Sequence, residues 1–297
     1  MFRSLAYLVL FINLPHAFVA HGQLLPGSPT TTWSPLVVSG PSDPFSDSQS
    51  GRNDVEIIGD GDPHHAVYRT FFEGTEANSF LDAELGFRFR MSGTQGNSSD
   101  FGGYAWAGMD VSGDGAMDFF VGINGSGNSV DVTINAAGDG LNISPSTTTI
   151  ERNALWSTPA TAQNYRWEPV TPGPLGNDPL AATDDLDGNG RVDHFLTFIV
   201  PFVELVTVVE TIVPGFGPTS AVGFIAGTAT QGNSLNADLN GVDGSINSAQ
   251  TWQELGAITN PAAIPEPSTF AALFGLLALG LVRFARRRRP FRGIGFR

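Results

Sequence analysis

Three stretches of the chain set oxygen-bearing side chains at alternate positions around glycines, a spacing that can wrap a loop around a hard cation. The first reads DVSGDGAMD and supplies Asp110, Ser112, Asp114 and Asp118. The second reads DLDGNGRVD and supplies Asp185, Asp187, Asn189 and Asp193. Both place oxygen donors at relative positions 1, 3, 5 and 9, glycine at 6 (Gly115, Gly190) and an apolar residue at 8 (Met117, Val192). Alternate carboxylates can turn toward one point, glycine permits the sharp turn, and such oxygens suit calcium. A looser third copy, DLNGVDGSIN, carries Asp238, Asn240, Asp243 and Asn247, with one extra residue before Asp243. The same residues also build Asx turns, in which Asp and Asn accept backbone amides without an ion. Calcium is expected in the second loop before the first, and in the first before the third.

This spacing resembles the calcium loop of EF-hand and dockerin proteins. The departures are at position 12, where an EF-hand has a bidentate glutamate and this chain has Val121 and Leu196. Each loop also runs into a strand-like segment instead of a helix. A paired EF-hand is therefore not expected, and an ion would need a ligand from elsewhere or would keep water.

The elements that must position these loops are short, β-branched or aromatic runs separated by glycine and asparagine: DVEII, AVYRTFF, LGFRFRM, YAWAGMDV, MDFFVGI, SVDVTI, VDHFLTFIV and AVGFIAGTAT. Alternation is clearest in GFRFRM, residues 86–91. The rhythm predicts an all-β body, an antiparallel β-sandwich with one or two short helices. One helix should follow Pro201, with Phe202, Leu205, Val206 and Val209 on one face and Pro214-Gly215 as its stop. A second is expected within 248–255.

The chain has 297 residues with no cysteine and no lysine, so a disulfide scaffold is excluded. At 41% apolar and 10% aromatic residues it can bury a real core despite 36 glycines and 20 prolines. The net charge of −14 is segregated: seven of the fifteen arginines lie at or beyond Arg283, and residues 21–265 hold seven arginines against twenty-eight acids, a net −21. Such a body repels nucleic acid and anionic lipid and attracts divalent cations, so no nucleic-acid partner is expected.

Both ends read as addresses. Residues 1–22 carry Arg3, an apolar run from Leu5 to Leu14, Pro15 and small residues, the order of a secretory signal peptide, with cleavage after Ala20 or after Gly22. Residues 23–53 are rich in proline, serine and threonine and read as an extended leading segment, 54–256 as the body, and 257–264 as a linker. Then come Pro265-Glu266-Pro267, fourteen apolar or small residues over 269–282, and an arginine cluster including Arg286, Arg287, Arg288 and Arg289, with 290–297 as a tail. Fourteen residues fall short of the ~20 that span a bilayer comfortably, so the expected transmembrane helix needs help from flanks such as Arg283. The arginines would hold the body outside the cytoplasm.

The order of motif, helix and arginine cluster resembles the PEP-CTERM sorting signal of exosortase-dependent bacterial proteins. The resemblance implies that exosortase recognises Pro265, Glu266 and Pro267, that an inner-membrane-anchored precursor is exported, and that the body passes to the cell surface or extracellular matrix. The stretch 80–125, with its FRFRM strand, tryptophan and D-x-x-G-D-G loop, and with it the stretch 185–255, is similar to exosortase-dependent surface proteins of unassigned activity.

No catalytic signature is present: no G-x-S-x-G, no H-E-x-x-H, no P-loop and no cysteine nucleophile. The expectation is a non-catalytic surface or matrix protein with a calcium-stabilised structural or adhesive body and polysaccharide as a candidate partner. The alternative is a secreted polysaccharide-active enzyme. A glycoside hydrolase would draw its two carboxylates from acids such as Glu73, Glu76, Asp82 and Glu84. A copper monooxygenase would need His21 at the mature N-terminus with His64, His65 or His194 as second ligand. Ice binding would need a regular threonine face, and residues 30–32 and 147–149 are isolated clusters.

Overall fold

The computed structural model describes residues 24–38, 42–74, 81–96, 98–125, 129–244 and 246–264. The expected signal helix, the transmembrane helix and the sorting residues Pro265, Glu266, Pro267 and Arg286 to Arg289 lie outside the described residues. No helix among the described residues is long and apolar enough to cross a membrane.

The body is built from two antiparallel sheets. One contains β1 (Ser34–Pro35), β2 (Val67–Phe72), β3 (Glu84–Met91), β8 (Tyr165–Pro169) and β9 (His194–Pro201), in the order β1-β2-β3-β9-β8. The other contains β4 (Tyr104–Asp110), β5 (Phe119–Asn124), β6 (Asp131–Ala136), β7 (Trp156–Pro159), β10 (Ala221–Ala229) and β11 (Asp238–Leu239). Its order is β11-β10-β4-β5-β6-β7, and β12 (Ala262–Ala263) also pairs with β10.

Period-two side chains explain the packing. Leu85, Phe87 and Phe89 from β3 and Leu196, Phe198 and Val200 from β9 meet Ala105, Ala107, Val121, Ile123, Val132 and Phe224 from the second sheet in one core. The Phe87 and Phe224 rings approach to 5.8 Å between centroids. This is the antiparallel sandwich that the alternating runs predict. Helix α1 (Phe202–Val209) starts after Pro201 and buries Phe202, Leu205 and Val209, while Val206 is partly buried. Helix α2 (Trp252–Leu255) carries a capping box between Thr251 and Glu254 and ends on left-handed Gly256.

Alternation alone would turn Arg88 and Arg90 of β3 out to water. Instead both are fully buried, because further chain covers this face of the sheet. Arg88 donates to the carbonyls of Pro26 and Ser28 at 2.5 and 2.6 Å and to Thr197 Oγ1, and its guanidinium lies 4.5 Å from the Trp33 ring centroid. Burial pulls its pKa down to about 10. Residues 24–36 are therefore tied to the five-stranded sheet through Arg88, through β1, and through Leu24 N donating to Glu84. At the other end of the chain, Ala257 and Ile264 are buried and Ile264 N donates to Pro218 O. The run DVEII forms a 3-10 turn (Asn53–Val55) and one bridge from Ile57 to Met91.

Candidate metal centres

The first two acidic loops adopt the same turn. Asp110 accepts the amides of Gly113 and Gly115, and Asp185 accepts those of Asn189 and Gly190. At position 9, Asp118 accepts the amides of Val111 and Ser112, and Asp193 accepts that of Leu186. Both turns need left-handed glycines at positions 4 and 6, with φ of 76° and 86° at Gly113 and Gly115 and 68° and 80° at Gly188 and Gly190. The sequence repeat is thus a repeat of geometry.

The loops part company at positions 3 and 5. In the first, Ser112 is exposed and Asp114 Oδ1 accepts Ala116 N, so the donors Asp110, Ser112, Asp114 and Asp118 serve backbone amides or face solvent. In the second, Asp185, Asp187 and Asp193 each bring a carboxylate oxygen within 4.8 Å of the others. Asp187 accepts Ser92 Oγ at 2.7 Å and Asn189 Nδ2 at 2.9 Å, and Asn189 Nδ2 also donates to Ser92 Oγ at 2.7 Å. Ser92, at the end of β3, is therefore an outside group locked onto the loop.

Asp193 is fully buried, and its Oδ2 takes Nε and Nη2 of Arg90 at 2.9 and 2.7 Å. Arg90 Nη1 reaches Asp178 Oδ2 at 2.8 Å, so one guanidinium balances two buried carboxylates. Asp193 Oδ1 is buried with no partner among the described residues. Burial pushes the Asp193 carboxyl up to about 6, with Arg90 pulling the other way.

The third loop behaves differently, and its partners come from far away in the chain. Asp238 accepts the amides of Ile57 and Leu239 at 2.6 and 2.7 Å. The loop's own Gly241 and Gly244 amides donate to Asp43 and Asp47 at 2.6 and 2.9 Å. Asp43, Asp47 and Asp238 then converge within 4.8 Å. Asp43 and Asp238 are 3% and 2% exposed, and Asp43 Oδ2 and Asp47 Oδ1 are buried without a partner among the described residues. Burial first, then the neighbouring carboxylates, pushes Asp43 and Asp238 well above the usual carboxylate range. Glu56, raised chiefly by burial, caps the amides of Asp47 and Ser48 beside them. Asp243, the sequence candidate, is exposed.

Asp43 and Asp47 escaped the sequence reading because their partners lie about 200 residues on. The only local signal is two acids four apart in a proline- and serine-rich stretch.

Neither cluster includes a histidine. His194 stacks on Trp167 at 4.7 Å and bonds Val192 O, and His64 bonds Asp60. His21 and Glu76 lie outside the described residues.

Chemically, each cluster offers three carboxylates, amide-oriented and partly desolvated, which fits a hard cation.

Residues 263–289 match the PEP-CTERM protein-sorting motif. The chain carries a PEP-CTERM sorting signal. It is accordingly an exosortase-dependent protein, exported as a membrane-anchored precursor and processed to the cell surface. The PEP-CTERM match overlaps β12, so the sorting signal begins on a strand paired with β10. No curated protein and no solved structure matches the chain.

Proposed function

We propose that the exported body is a non-catalytic structural or adhesive surface protein held together by calcium. The observation that carries this reading is the pair of three-carboxylate clusters, each containing a buried oxygen with no partner among the described residues: Asp193 Oδ1 in one, Asp43 Oδ2 in the other. A buried carboxylate oxygen left without a partner is costly, and a divalent ion bound to it removes that cost. The first ion would fasten the 185–193 loop against Ser92, the residue that follows β3. The second would fasten residues 43–47 to β11 and the turn that follows it. Both therefore join segments distant in sequence, which is where a cation adds most stability. Such stapling suits a chain that leaves the cell without cysteine and faces a medium in which calcium is available.

Equilibrium dialysis of the full-length chain against calcium tests this directly. Two bound ions per chain are expected, falling to one in Asp187→Ala. No bound calcium at about 1 mM, the weak end of extracellular sites, contradicts the proposal.

A further inference from the structure

We infer that the outer face of the seven-stranded sheet carries a binding cleft for a neutral saccharide. The cleft holds about 510 Å³, within the ~300–1,000 Å³ of small-ligand sites. Its floor follows from strand register. Tyr104 faces Asn124 and Asn124 faces Asp131 across β4, β5 and β6, forming one outward row. The next row runs Trp106, Gly122, Thr133, Ser157. The intervening Ala105, Ile123 and Val132 point into the core. Gly122 lets the Trp106 ring lie over β5 as part of the floor, because a Cβ there would collide with that ring. Tyr104 stacks on Trp106 with 14° between the ring planes. Residues 230–233 and Arg152 close the sides.

Four polar atoms of this lining are buried with no partner among the described residues: Trp106 Nε1, Thr133 Oγ1, Asn135 Oδ1 and Asn233 Oδ1. Buried polar groups are nearly always satisfied, so four in one cleft mark a surface completed from outside. They comprise one obligate donor, two acceptors and one hydroxyl that is both. A ligand that meets them must both donate and accept, as the hydroxyls of a saccharide do. Tyr104 lines the cleft, and an aromatic lining suits the C–H side of a pyranose. Asp131 and Arg152, one of each sign, oppose selection for net charge. The proposal goes beyond the calcium reading and shares no residue with it; it needs only that the body reach the cell surface, where glycans lie.

The test is isothermal titration of the full-length chain, in a non-glycosidic detergent, with maltotriose, cellotriose and mannotriose. At least one should bind with a Kd of about 1 mM or tighter, and Trp106→Phe, which keeps a ring and loses the donor, should weaken it about tenfold. Asn135→Ser should do likewise. Binding should persist in Asp187→Ala and in chelator, which separates this cleft from the metal centres. Absence of binding by all three probes up to about 10 mM overturns the inference. So does binding that both cleft variants leave unchanged, or binding that Asp187→Ala abolishes.

Discussion

Replacing Arg90 with methionine should damage the body far more than a single surface charge change. The side chain is fully buried, and its guanidinium is the partner of both Asp178 and Asp193, which are 1% and 0% exposed. Methionine fills much of the volume, so packing loss is small and the cost is electrostatic. Removing one partner of a buried ion pair costs about 3–5 kcal/mol, because the remaining charge is left uncompensated. Here two carboxylates lose the same partner, so the upper half of that range applies, offset by protonation of one of them. For a body of this size, with Tm moving about 2–4 °C per kcal/mol, the melting temperature should fall by about 8–20 °C. The assay is thermal unfolding followed by circular dichroism at pH 7. Adding Asp193→Asn to Arg90→Met should recover part of the loss, since one orphaned charge is gone. A fall under about 2 °C, near the cost of one exposed charge, would refute the reasoning that Arg90 is a buried counter-ion.

Asp187→Ala should remove a larger part of the calcium-induced rise in melting temperature than Asp114→Ala, because only Asp187 converges with two other carboxylates; equal losses would show that the two loops bind alike. Gly122→Ala should destabilise the body by about 1–3 kcal/mol, since the new methyl has no room beneath Trp106, and denaturant unfolding with no shift in midpoint would contradict that packing. The pH response follows from raised carboxyls. Asp193 sits at about 6 against an ordinary 3.8, so its protonated form stabilises the fold below about pH 4 and that contribution is lost as pH rises through about 6. In chelator, the melting temperature should therefore decline from pH 5 to pH 7. Calcium should oppose that decline, because the ion takes the place of the proton. A chelated protein that gains stability over this window would contradict the assignment.

Much of this architecture is written in local sequence. The FRFRM run alternates as a strand must, and Pro201 with Phe202, Leu205 and Val209 sets out a helix and its buried face. The acidic repeats are equally plain, since Asp at positions 1 and 9 and glycine at 6 specify one closed turn. What local pattern cannot give is what lies on top of a strand. Arg88 and Arg90 look solvent-facing until residues 26–33 and 178–193 are placed over them. Strands β7 and β8, read as WSTP and YRWEP, are short, proline-ended and half exposed, so neither alternation nor apolar content marks them. Likewise, the second carboxylate cluster joins acids at 43, 47 and 238, and only the tertiary fold brings them together. The saccharide cleft depends on register across four strands, with Gly122 lying beneath a tryptophan from its neighbour.

The most direct measurement of the account is the melting temperature of the full-length chain at pH 7 in chelator and then in excess calcium. One ion bound at a hundred times its Kd adds about 2.7 kcal/mol, so two ions should raise the melting temperature by about 10–20 °C. Magnesium, which dehydrates reluctantly and demands stricter geometry, should do less. An unchanged melting temperature would mean that the clustered carboxylates of Asp43, Asp47, Asp185, Asp187, Asp193 and Asp238 hold protons and amides instead of calcium.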